Sequence, residues 1–216
     1  MFVFPAKAMF NRVLPKLKIY ANAKPSKKVK AMFISQVNEI VWKYKLAAGT
    51  INLAPRDGYN EIQVFEISLK VPDLGMEVLS VIDKAIPYPI FFRLRHDDRL
   101  KRVAAYKRPA ADGTNNWVTE AYFETEWEKA TDPITPLPVS LDIKALYEQM
   151  LFTLIDLPPR PGETLPALVE RVGLIRKHSR ELQTLEAKMN KEKQFNRKVE
   201  LNAQVRNIQT RIQELQ

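Results

Sequence analysis

The 216-residue chain carries 34 Lys and Arg against 25 Asp and Glu, a formal net charge of +9, with 45% hydrophobic residues, 15 Pro, 6 Gly and no Cys. That apolar share excludes wholesale disorder, and the length allows one ordinary domain with an appendage or two small domains. The lack of Cys excludes a disulfide scaffold, a thiolate metal site and a cysteine nucleophile, and His96 and His178 alone cannot furnish a His-rich metal centre. No apolar run approaches the roughly 20 residues that span a bilayer. The segment MFVFPAKAMF lacks the long apolar core of a secretory leader, so the expectation is a cytoplasmic protein without membrane contact.

Pro5, Pro15 and Pro25 limit residues 1–26 to short or irregular structure, a basic arm. Ser26 suits an N-cap for a helix predicted from Lys27 to about Lys45. Within it Val29, Met32, Phe33, Val37, Ile40, Val41 and Tyr44 recur at spacings of three and four. A short strand is predicted at Thr50–Leu53, a turn at Pro55–Gly58 and a buried strand at Glu61–Lys70. A helix follows at Gly75–Ile86, with Met76, Leu79, Ile82 and Ile86 on one face, ended by Pro87-Tyr88-Pro89. Strands at Ile90–Arg95 and Leu100–Lys107 form a predicted hairpin around His96–Arg99, and a turn at Ala111–Thr114 leads into a third strand, Trp117–Trp127. After a proline-marked connector, a helix is predicted from Leu141 to about Leu157, closed by Pro158-Pro159. The order α-β-β-α-β-β-β-α describes an α+β fold with a mixed or antiparallel sheet packed with helices.

From Leu165 the pattern changes. Leu168, Val172, Ile175, Leu182, Leu185 and Met189 are spaced mainly by three, four or seven, and Leu201, Val205, Ile208, Ile212 and Leu215 keep a 4-3-4-3 rhythm. The phase slips near Phe195 and Val199, as a stutter in one long helix or the turn of a helical hairpin would make it do. The organisation expected is a basic arm (1–26), an α+β domain (27–160) and a coiled-coil region (161–216). The 201–215 stripe is the candidate partner-binding surface, for a homo- or hetero-oligomer.

Charge distribution says more about partners than the total does. Residues 1–48 hold ten Lys and Arg against one Glu, residues 110–162 hold three against nine acids, and residues 163–216 hold eleven against seven. Lys16, Lys18, Lys24, Lys27, Lys28 and Lys30 can attract phosphate, or form a solvated arm. Lys27, Lys28 and Lys30 fall at the positive end of a helix dipole, where stability would not place them, and this tilts the reading towards an anion. Arg93, Arg95 and Arg102 on the hairpin, with Tyr106, suit backbone contacts as well. There the pattern favours a structural account, because Glu120, Glu124 and Glu126 alternate along the next strand and can neutralise the arginines as cross-strand pairs.

Glu66 interrupts an apolar strand and needs a partner or a metal. Asp57, Glu61, Glu66 and Lys70 are the candidate acids and lysine of a divergent metal-dependent nuclease. Glu66 and Lys70 stand four apart, however, without the compact acid-x-lysine pair of that chemistry, so a buried ion pair is the better account. No Gly-rich phosphate loop, Gly-x-Ser-x-Gly elbow or His-Glu-x-x-His helix occurs, and neither metal nor cofactor is expected. His178, among Arg176, Lys177 and Arg180, reads as a solvated side chain.

Several segments together resemble a bacterial family of uncharacterised proteins: VWKYKLA with TINLA, EIQVFEISLK, IDKAIPYPIFFRL, the YFETEW strand end and KEKQFNRKVELNAQV. The likeness runs from about Leu14 to Gln216. It implies a setting beside helicases and DNA methyltransferases in phage-defence or restriction-like islands, and supplies no catalytic residues. The expectation is therefore a non-enzymatic accessory or assembly subunit of a DNA-processing complex. Its partner would be a larger helicase-like or nuclease protein, with DNA held through phosphate contacts. The alternatives are the nuclease above and a self-assembling structural protein.

Overall fold

The computed structural model describes residues 2–110, 116–133 and 135–216, which divide into two units, Met1–Ile155 and Asp156–Gln216. The turn predicted at Ala111–Thr114 lies outside the described residues. The first unit opens with β1 (Phe2–Val3), a 3₁₀ turn (Ala6–Ala8), β2 (Met9–Val13) and α1 (Lys16–Ala23). It continues with α2 (Lys27–Gln36), β3 (Val37–Ala47), α3 (Ala48–Ile51), β4 (Glu61–Leu69), α4 (Met76–Ala85), β5 (Ile90–His96), β6 (Arg99–Pro109), β7 (Trp117–Glu124), β8 (Glu128–Lys129), β9 (Thr135–Pro136) and α5 (Ile143–Phe152).

Ser26 does cap α2, its Oγ accepting from the Val29 N–H at 3.3 Å. The helix predicted to reach Lys45 nevertheless ends at Gln36, and VNEIVWKYKLA is an 11-residue strand. Register shifts in β3 between Val37 and Glu39 and between Trp42 and Tyr44 explain the error. A bulge inserts a residue, so the inward-facing Val37 and Ile40, both in one core, stand three apart and imitate helical spacing. The strand expected at Thr50–Leu53 is likewise replaced by the single turn of α3. There Thr50 Oγ1 donates to Lys45 O at 2.7 Å and accepts from the Ala47 N–H at 2.9 Å. Asn52, at φ 55, ends that turn in the left-handed region.

The remaining strands and α4 fall within a few residues of expectation. The turn before β4 is tight: Asp57 (φ 51) and Gly58 (φ 83) take successive positive φ values between the bridged Arg56 and Tyr59.

The sheet is mixed, in the order β2-β3-β4-β5-β6-β7, with β8 also paired to β6. Only β4 and β5 in this sheet run parallel, joined across α4 as a β-α-β unit. One face carries α1, α2 and α4 over a core that includes Ile19, Phe33, Ile40, Phe65, Leu79 and Phe92. On the other face α5 touches β4 and β6, and buries Leu146, Tyr147 and Met150. The Phe2 ring lies 5.8 Å from Phe91 and Phe4 stacks on Tyr44 at 4.6 Å, while β1 pairs in parallel with β9.

The second unit is a helical hairpin, α6 (Leu165–Lys191) and α7 (Phe195–Leu215). Of the two readings of the phase slip, the turn is the one realised, at residues 192–194. The helices run antiparallel: Arg171, one and a half turns into α6, donates Nη1 to Leu215 O at 2.8 Å and so caps the far end of α7. Its Nη2 bonds Glu163 Oε2 at 2.7 Å and Pro158 O at 2.9 Å.

Candidate functional site

The basic residues singled out above separate into two groups. Lys16 Nζ donates to Phe33 O at 3.0 Å and Val37 O at 2.6 Å, and Lys70 Nζ donates to Ile34 O at 2.8 Å. Both lysines thus sit on the carbonyls at the C-terminal end of α2, where a cation meets the negative end of the helix dipole. Burial pushes the Lys16 ammonium pKa down, and Lys70 adds to that. Arg93 is buried and ion-paired to Glu66 at 3.2 Å, and Arg102 is ion-paired to Glu128. Lys101 pairs with Glu124 and Arg108 with Glu120, each at 2.7 Å, so acids on and just after β7 answer the basic residues of β6.

Lys18, Lys24, Lys27, Lys28 and Lys30 are exposed, as is Arg95, and none of the five lysines enters an ion pair among the described residues. Lys30 Nζ lies 5.6 Å over the Tyr20 ring, tying the two helices together. The first turn of α2 contains no acid, so three lysines and a positive helix end coincide. Residues 1–38 contain no Asp or Glu at all. Uncompensated positive charge is therefore concentrated on α1 and α2.

The four candidate catalytic residues are not brought together. Asp57 lies at the turn before β4, bonded to Lys144 at 2.8 Å, which holds its carboxyl below the usual range. Glu61 and Glu66, an odd number of residues apart on an unbulged strand, point to opposite faces. Glu61 pairs with Lys45 at 2.5 Å, Glu66 with Arg93, and Lys70 caps α2. Among the described residues no group of three or more metal-ligating side chains occurs.

Sequence reasoning passed over a buried polar centre. Lys107 and Asp83 are 2% and 3% exposed, with Nζ 3.6 Å from Asp83 Oδ1. Lys107 Nζ donates to Asp83 O, Ile86 O and Tyr88 O at 2.8, 2.8 and 3.0 Å, closing the C-terminal end of α4, and Tyr122 Oη donates to Asp83 Oδ2. Burial pushes the Asp83 carboxyl up and the Lys107 ammonium down, each opposed by the other's charge. Nearby, Tyr147 Oη accepts the Lys107 N–H at 3.1 Å and donates to Ala105 O, where the β6–β7 register shifts. The signal was available: Asp83 stands four residues after Leu79, on the apolar stripe of its helix. This centre joins α4 to the sheet and is structural in character.

In α7 the predicted partner stripe faces α6. Val205 and Ile208 are buried, and Leu201, Ile212 and Leu215 are half-buried. The same helix exposes Phe195 (78%) and Val199 (52%) in its first turns, beside Lys193, Arg197 and Lys198.

No curated protein matches the chain, and no solved structure matches it. Residues 2–212 match the family described as Domain of unknown function (DUF4391). With nearly its whole length inside that match, the chain belongs to the DUF4391 family.

Proposed function

We propose that this protein is a non-enzymatic accessory subunit of a bacterial DNA-processing complex of the phage-defence or restriction-like kind. In this reading α1 and α2 lie along nucleic-acid backbone, and a larger helicase or nuclease partner carries out the chemistry. The observation that carries the proposal is the set of five exposed lysines, Lys18, Lys24, Lys27, Lys28 and Lys30, outside any ion pair among the described residues, three of them (Lys27, Lys28 and Lys30) at the positive end of α2. Scattered, individually paired carboxylates speak against the nuclease alternative.

Phosphate contacts release counterions, so affinity for a 30-base-pair duplex falls steeply with salt. Each lost contact lowers the slope of log K against log salt by about 0.9, so Lys27→Ala/Lys28→Ala/Lys30→Ala lowers it by about two to three. Affinity that is flat between low and physiological salt, or unaltered in the triple variant, removes the DNA part of the proposal.

Assembly is assigned to the tip of the helical hairpin, because the 201–215 stripe is occupied within the chain whereas Phe195 and Val199 are open. Co-purification from a native source identifies the partner. Phe195→Ser/Val199→Ser releases it, and retention of the partner by that variant moves the interface elsewhere.

A further inference from the structure

The α7 helix has two apolar faces. Leu201, Val205, Ile208 and Ile212 are buried or half-buried against α6. Phe195, Val199 and Ala203 recur every four residues and are all exposed, Phe195 by 78% and Val199 by 52%. At about 100° and 1.5 Å per residue this second strip lies roughly opposite the first and runs for about 12 Å. An amphipathic helix laid in a groove reads as anchors at this spacing.

The strip is set in positive charge. Lys193 precedes it, Lys198 lies beside it and Arg206 closes it, all exposed. Residues 193–206 hold four Lys and Arg against a single acid, Glu200. Glu192, in the turn, faces back on the chain: its Oε1 accepts the Lys193 and Gln194 N–H groups, each at 2.9 Å, which hold its carboxyl below the usual range. Among the described residues the charged contacts of this unit are Arg171 with Glu163 and His178 with Glu181, so the cations around the strip are answered by no acid. No acid stands in the first turn of α7, whose positive end adds to the same field.

We propose that the larger partner receives the first three turns of α7 in a groove with an apolar floor and a rim of carboxylates. Phe195 and Val199 fill the floor, while Lys193, Lys198 and Arg206 meet the rim. The inference rests on the assignment of assembly to the hairpin tip, and adds the chemistry of the surface that covers it. A phosphate backbone would answer the cations but offers no wall to the apolar strip, and a gap between stacked bases takes one wedge, not a second a helical turn behind it. A lipid surface takes up an apolar face along a whole helix, and this one has two large side chains.

For the test, the complex is isolated from the native source, treated with nuclease and joined with a carbodiimide, which links a lysine to a carboxylate only where the two touch. Mass spectrometry finds Lys193 and Lys198 linked to Asp or Glu of the larger partner. Lys198→Glu/Arg206→Glu weakens binding of the purified partner at least about tenfold by biolayer interferometry. Both side chains are exposed, and Lys198→Glu suits the positive end of α7, so the variant keeps its helical circular dichroism. Suppose Phe195→Ser/Val199→Ser releases the partner while charge reversal leaves affinity within about twofold, or the tip lysines link to no partner carboxylate; the acidic rim is then overturned and the assembly reading stands. Release of the partner by nuclease, or links to a second copy of this chain alone, overturns the protein groove. A partner retained by Phe195→Ser/Val199→Ser, or no protein companion at all, removes the assembly reading and this inference with it.

Discussion

Replacing Lys107 by Met keeps most of the side chain's length and apolar stem while deleting its charge. The change strands the carbonyls of Asp83, Ile86 and Tyr88, and leaves the Asp83 carboxylate buried with only Tyr122 donating to it. Removing one partner of a buried ion pair costs about 3–5 kcal/mol. At roughly 2–4 °C per kcal/mol for a unit of this size, the unfolding midpoint falls by roughly 6–20 °C. The loss also depends on pH. Burial already raises the Asp83 pKa above its unfolded value, so the carboxyl contributes full stability only at low pH and loses it as pH rises through the folded pKa. Lys107 opposes that rise, and without it the loss is larger and extends to higher pH. Differential scanning calorimetry at pH 5 and pH 8 therefore finds the variant closer to the parent chain at pH 5. A loss below about 1 kcal/mol, or one equal at both pH values, refutes the account of a dry, charge-paired centre.

Three further outcomes follow from the geometry. Glu163, held down to about 2 by the Arg171 hydrogen bonds, contributes stability that is present above its unfolded value near 4.5 and is lost as pH falls towards 2. Helicity of α6 and α7 followed by circular dichroism therefore declines over that window, and Arg171→Met flattens the decline. Gly58→Ala forces a Cβ into the φ +83 backbone, 3.2 Å from Pro109 Cγ, and costs about 1–2 kcal/mol by urea unfolding. Ile208→Ala opens the hairpin interface at a cost of about 2–5 kcal/mol, read as faster hydrogen exchange along α7 while β4 and β5 stay protected.

What the sequence discloses about this molecule depends on how regular each element is. The stripe Leu79–Ile82–Ile86, the short apolar run of β4, buried on both faces, and the heptads of α7 are each uninterrupted patterns, and all three emerge close to where the pattern puts them. β3 does not obey one period, because its bulges displace inward residues by one and a helical spacing results. Charge behaves the same way. That Arg108 and Lys101 meet Glu120 and Glu124 follows from strand alternation. That Lys16 and Lys70 converge on the end of α2 depends on contacts 17 to 36 residues apart in sequence, which no local pattern records. The cavity between α1, β3, β4 and the end of α4 is equally hidden, since its lining comes from four separate stretches of chain.

The pairing of Phe2 with Thr135, next to the packing of Phe2 on Phe91, has a consequence for synthesis. At about 5–20 residues per second, roughly 130 residues of translation separate the two strands by about 6–26 s. Through that interval Phe2 and Phe4 have no β9 to lie beside, and Phe2 has no β5 until later residues emerge. Phe2 and Phe4, made well before their partners, are thus fixed late, and the nascent chain presents these aromatic side chains to whatever chaperone attends the ribosome exit.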